Sequence, residues 1–238
     1  MPRPVVGVSL KMYFSLARAR TWLLEASEVV PGSVEFFAAP SYLAIPEALA
    51  AFPDGAAAQD VSAEEPGPFT GEVSAAELAE AGVRYAEIGH AERRRLYGET
   101  DEVVAAKIAA ALRHGIVPVL CVGETVDPAD GGPDAADVAV AQLRSALAGA
   151  PAGRVIVAYE PVWAIGAAEP APDDHIRRVA AALRDARREP HDAVIYGGSA
   201  GPGLLTRLGD AVDGIFLGRF AHDVTALRAV IDEAVARR

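Results

Sequence analysis

A single cysteine, Cys121, stands in a chain of 238 residues. One thiol excludes an intrachain disulfide framework and a cysteine-rich metal site. Basic residues are also scarce: 22 Lys and Arg face 33 Asp and Glu, for a net charge of −11. Such a chain lacks the basic face that nucleic-acid or anionic-membrane binding needs, so neither partner is expected. A small anionic substrate stays open, because a pocket needs only local donors. No stretch approaches the ~18 continuous apolar residues of a membrane-spanning helix. The apolar run after Met1-Pro2-Arg3-Pro4 is too short for a signal peptide. The expectation is a soluble, cytoplasmic protein. A G-x-G-x-x-G turn is missing as well: the first apolar run ends in Ser9-Leu10-Lys11-Met12, which argues against a dinucleotide-binding fold.

What is present is a recurrence of short apolar runs. They are Pro4–Leu10, Val34–Ala39, Ala56–Gln59, Tyr85–Gly89, Ile116–Val122, Val155–Tyr159, Ala193–Tyr196 and Gly214–Leu217. They are too short for helices and most are rich in Val, Ile and Tyr, as strands are. They are nearly continuous rather than alternating, the signature of parallel strands covered on both faces. Between them lie helix-period segments: Asp101–His114, Asp134–Leu147, Asp173–Arg188 and His222–Arg237. In the first of these Val104, Ile108, Ala111 and Leu112 share a face, Thr100 is placed to cap it and Gly115 to stop it. The polar stretch Asp127–Asp134 reads as a surface loop within one domain, 1–238. Strand–helix alternation fits either a closed α/β barrel of about 250 residues or an open doubly wound sheet.

In both architectures working groups collect just past the C-terminal ends of the strands. Those positions hold Lys11, Gln59 with Asp60, His90, Gly123 with Glu124, Glu160, Gly197-Gly198-Ser199 and Gly218-Arg219. A lone histidine is usually structural, but His90 lies at a strand end beside a possible helix start, where the imidazole is kept neutral. The Glu92-Arg93-Arg94 run that follows reads as an ion-pair network. Glu160 is followed by Pro161-Val162-Trp163-Ala164-Ile165-Gly166. Such an apolar loop, if exposed, can close over a site, exclude water and raise the proton affinity of a nearby carboxylate, as a general base requires. The Gly-containing turns after the last two runs suit a phosphate cradle built from backbone N–H groups.

Several blocks carry a resemblance over nearly the whole chain, from Val6 to about His222. They include Gln59-Asp60-Val61, Phe69–Ser74, Ile88–Arg94, Tyr97–Glu102 with Lys107, Cys121–Glu124, Tyr159–Gly166, Tyr196–Ser199 and Val212-Asp213-Gly214. In this order they resemble the triosephosphate isomerase family. The resemblance implies a single (β/α)8 TIM barrel. It implies Glu160 as general base, His90 as neutral electrophile, Lys11 as the charge-stabilising lysine and Glu92 as the acid that supports it. Ser9, Lys11, Gly166, Gly197, Gly198, Ser199, Gly218 and Arg219 are the implied substrate and phosphate ligands. No metal and no organic cofactor are implied. The implied partners are a small phosphorylated sugar and a second copy of the chain, through the loop around Phe69-Thr70-Gly71-Glu72.

The sequence also departs from the family pattern. Ser9 stands where the family has asparagine, Ala91 where it has serine, Ala167-Ala168 where it has Thr-Gly, and Arg219 where it has a second glycine. The matches at Lys11, His90 and Glu160 are intact, so the expectation is retained chemistry with altered binding. The implied activity is interconversion of dihydroxyacetone phosphate and glyceraldehyde 3-phosphate through an enediolate. The alternatives are isomerisation of a related substrate such as a tetrulose phosphate, or sugar-phosphate binding with little catalysis.

Overall fold

The computed structural model describes residues 3–237; Met1, Pro2 and Arg238 lie outside them. The eight apolar runs become eight strands: β1 Val5–Ser9, β2 Glu35–Ala39, β3 Ala57–Ala58, β4 Tyr85–Ile88, β5 Val117–Val122, β6 Ile156–Tyr159, β7 Ala193–Tyr196 and β8 Gly214–Leu217. All pair in parallel, in the order β2-β1-β8-β7-β6-β5-β4-β3. A parallel bridge between Ala38 and Ala56 brings the two ends of that order together. With that bridge closing the ring of strands, the open doubly wound alternative falls away and the fold is a (β/α)8 barrel.

The strands are flanked by helices α1 Leu16–Ser27, α2 Ile45–Ala51, α3 Ala75–Ala81, α4 Ala91–Tyr97, α5 Asp101–Arg113, α6 Ala135–Leu147, α7 Asp173–Ala186, α8 Leu204–Leu208 and α9 Val224–Ala236. Their starts are set locally by side-chain caps. Ser15, Ser74 and Thr100 each accept the N–H three residues on, and Asp134 and Asp223 cap α6 and α9. Two ends differ from the periodicity. Arg188 has left α7 and donates to the carbonyls of Ala150 and Pro151, and His222 lies in a 3-10 turn before α9. On α5, Leu112 is only half-buried while Lys107 is buried. Lys107 is drawn inward by Asp60 (2.7 Å) and Glu99 (2.6 Å).

Alternation along each strand separates two cores. One face packs under the helices through residues such as Val6, Val8, Ile88 and Leu120. The other fills the barrel with Val5, Phe37, Tyr85, Val119, Cys121, Ile156, Ile195 and Phe216. The same period of two turns Ser9 and Glu87 inward, above Val5 and Tyr85. Among the described residues no helix is long and apolar enough to cross a membrane.

Candidate active site

A cavity of about 230 Å³ opens at the C-terminal ends of the strands. Of the residues singled out above, Ser9, Lys11, His90, Glu92, Glu160, Gly166, Gly197, Gly198, Gly218 and Arg219 all line it. Ser199 does not: its hydroxyl donates to the Ala167 carbonyl at 2.8 Å, which ties the β7 loop to the loop after Glu160.

Lys11 follows β1 in a left-handed conformation, φ 48°, the one positive φ outside glycine among the described residues. That geometry costs a residue with a Cβ roughly 1–2 kcal/mol, so the surroundings must hold it. Gln59, from the end of β3, does so by donating to the carbonyls of Lys11 and Ala39, both at 2.9 Å. The Lys11 ammonium donates to Glu92 Oε1 at 2.8 Å. Burial opposes the charge, but Glu92 outweighs it and the pKa is raised. The remaining arginines of that run behave as the expected ion-pair network. Arg93 joins Glu99 and Asp60, and Arg94 joins Asp101.

His90 is the cap residue of α4. Its Nδ1 accepts the N–H of Glu92 at 3.1 Å, which assigns the ring proton to Nε2. Burial, and then the Lys11 charge, lower the imidazole pKa to about 4. The ring is therefore neutral near pH 7, with an N–H directed at the cavity. Glu160 Oε2 lies 3.5 Å from Nε2.

Glu160 leaves β6 with its N–H bonded to Val122 O at 2.8 Å. Its seat depends on two close approaches. A Cβ at Gly123 would stand 2.1 Å from the Glu160 carbonyl oxygen, and one at Gly197 would stand 2.7 Å from its Cγ and Oε1. The carboxylate is buried, and Oε2 has no hydrogen-bond partner among the described residues. Burial, and next the Glu87 charge, push its pKa up to about 8.

The loop after Glu160 is less exposed than its position suggested. Pro161 and Ala164 are buried, Val162, Trp163 and Ile165 are half-buried, and Ile165 lines the cavity. Trp163 Nε1 donates to Glu124 Oε1 at 2.8 Å, and Tyr159 and His175 meet the same carboxylate. The loop is thus anchored at its start and opens outward from Gly166. Arg219 neither fills the cavity nor points away from it. It lies exposed at the mouth, with Nη2 3.4 Å from the Gly166 carbonyl.

Two cavity residues, Tyr13 and Glu87, are not among the candidates the sequence offers. Glu87, in the middle of β4, is 4% exposed and accepts from the Ser9 hydroxyl at 2.7 Å. Its Oε1 is 3.9 Å from His90 Nε2. Burial pushes its pKa up to about 7. The available signal was its period-two relation to Tyr85, which places a carboxylate inside the barrel. Among the described residues no group of three or more His, Cys, Asp or Glu is placed to hold a metal ion.

The arrangement is that of a β/α barrel with a buried carboxylate, a neutral imidazole N–H and an ammonium group converging on one polar cavity. Such groups can remove a proton beside a carbonyl and stabilise the oxyanion that results. The family model of triosephosphate isomerase matches residues 4–234, and the chain belongs to this family. It is 47% identical to the L-erythrulose-1-phosphate isomerase of Pectobacterium atrosepticum, over 96% of this chain and 95% of that one. It is 39% identical to the triosephosphate isomerase of Thermus thermophilus, over 85% and 86% of the two chains. It is 45% identical to that of Cupriavidus pinatubonensis, over 83% and 84%.

Proposed function

We propose that the protein is an isomerase that moves a carbonyl between neighbouring carbons of a short sugar phosphate, and that its substrate is a four-carbon ketose 1-phosphate. The observation that carries the chemistry is the buried Glu160 carboxylate, 3.5 Å from a neutral His90 whose Nε2–H faces the same cavity as Lys11. Glu160 takes the proton from the carbon beside the carbonyl. The released electron pair forms the carbon–carbon double bond and the carbonyl π pair moves onto oxygen. The Nε2–H of His90 and the Lys11 ammonium stabilise the enediolate, a charge that exists only along the reaction path. The hydroxyl proton of the first carbon passes to the former carbonyl oxygen, and return of the abstracted proton to the neighbouring carbon completes the shift. Both electrons stay within the substrate, so the step needs no redox partner. Glu92 positions Lys11. Backbone N–H groups of Gly166, Gly198 and the Gly218-Arg219 turn receive the phosphate, and the loop from Pro161 to Ala168 keeps water out.

The choice of a four-carbon substrate is supported by the 47% identity to a protein named for erythrulose 1-phosphate. The triose reading is favoured by the relatives named triosephosphate isomerase. Turnover of L-erythrulose 1-phosphate and of dihydroxyacetone phosphate by the same preparation decides between them, with Glu160→Ala as control. A higher kcat/KM on the four-carbon substrate supports the proposal, and the reverse order selects the triose reading. Binding of both without turnover rejects catalysis. The reading extends to a two-fold dimer, supported by the half-exposed Phe69 ring in its loop.

A further inference from the structure

We propose that Glu87 is a specificity-determining residue: oriented by Ser9, its carboxyl group receives the hydroxyl of the fourth substrate carbon, a group that triose phosphates lack. The inference rests on the isomerase reading above.

It starts from the buried carboxylates taken together. Glu35 has Arg154 and Tyr85. Asp60 and Glu99 share Lys107 and Arg93. Glu124 has Tyr159, Trp163 and His175, and Asp192 accepts the N–H groups of Val155 and Glu189. Glu99 Oε2 also lacks a partner, but of these buried carboxylates only Glu87 and Glu160 line the cavity. Glu87 has one hydrogen bond among the described residues, from Ser9 to Oε2, and Oε1 has none. The nearest lysine of the site, Lys11, is taken by Glu92. Glu87 lines the cavity, so a ligand donor can reach the carboxyl oxygen that Ser9 leaves free.

The position of Glu87 says which donor. The reacting carbon must lie within reach of both Glu160 and His90 Nε2, and Glu87 Oε1 is 3.9 Å from that same nitrogen. In dihydroxyacetone phosphate the reacting carbon carries only hydrogens and its hydroxyl. In a four-carbon ketose 1-phosphate one of those hydrogens is replaced by a hydroxymethyl group. That group needs a recess with a polar end, and a short Ser9 beside Glu87 supplies both. A site built to hydrogen-bond a substrate hydroxyl discriminates strongly against an analogue without it, because its own polar group is left unpaired.

The test compares kcat/KM on L-erythrulose 1-phosphate and dihydroxyacetone phosphate for the wild type, Glu87→Val and Glu87→Gln. In Glu87→Val the ratio of the two falls about tenfold or more towards the triose. Glu87→Gln keeps the volume and one acceptor; its ratio moves the same way by a smaller factor, and it carries the test if the valine variant fails to fold. A ratio unchanged in the folded variants, with both activities lowered together, overturns the inference and makes Glu87 part of the common chemistry. A wild type that prefers the triose overturns the substrate reading, and the inference with it. The wild-type measurement alone separates the two failures.

Discussion

His90 Nδ1 accepts the backbone N–H of Glu92, and this one contact presents the proton on Nε2 to Glu160, 3.5 Å away. The same residue, Glu92, holds Lys11 through its carboxylate at 2.8 Å. The first turn of α4 therefore orients the imidazole with its main chain and the ammonium with its side chain. Both proposed oxyanion donors depend on where that helix begins.

Replacing Glu160 by Gln removes the proposed base while keeping its shape. The expected result is a kcat lower by a factor of about 10²–10⁴, with an unchanged far-ultraviolet dichroism spectrum. Wild-type turnover in this variant would assign the proton transfer to another group.

The pH profile follows from the two neighbouring carboxyl groups. As the proposed base Glu160 must be ionised, and its pKa is held at about 8 by burial and by Glu87. The kcat/KM of the wild type should therefore climb with pH towards an inflection near that value. Removing the neighbouring charge in Glu87→Gln should move the inflection to lower pH. An inflection near 4.5, the ordinary glutamate value, would contradict a buried base.

Stability carries the opposite sign. Glu87 and Glu160 titrate at about 7 and about 8 in the fold, above the ordinary value of 4.5. As pH rises the unfolded chain releases these protons first. Their contribution is therefore complete below about pH 4.5 and is lost as pH passes through 7 and 8. Glu87→Gln should thus gain stability relative to the wild type at pH 9, on the order of 1–3 kcal/mol. At pH 4 that difference should vanish. Thermal melts at the two pH values measure it, and a variant less stable than the wild type at pH 9 would refute the assignment.

Gly197→Ala tests the seat of the base. The added Cβ would meet Glu160 Cγ and Oε1 at 2.7 Å, so the carboxylate must shift. A displacement of that kind lowers kcat by roughly 10²-fold, with a destabilisation of about 1–3 kcal/mol from overpacking. Full activity would mean that the position of the carboxylate is not critical.

Assembly is checked by light scattering. The Phe69 ring, 41% exposed, is expected to be covered by a second copy. The wild type should have the mass of a dimer and Phe69→Asp that of a monomer. A fully active wild-type monomer rejects the interface.

The sequence by itself determined the strands, because a strand covered on both faces must be apolar at every position and short runs such as Ala193–Tyr196 have no other use. It determined the start of α5, because the Thr100 cap acts within three residues, whereas α9 begins two residues later than its periodicity placed it. It also located Lys11, His90 and Glu160, since in parallel α/β folds the strand ends are the places to look. Tertiary structure decided what those residues meet. Closure through Ala38 and Ala56 excluded the open sheet, a choice that local pattern leaves free. The Ser199 hydroxyl turned to Ala167, and Arg219 settled on Gly166, because those loops face each other only once the barrel is complete. Glu87 is the clearest case. The period of two could place it inside, but its contact with Ser9, 78 residues away, exists only because both strands point their alternate side chains into one closed interior.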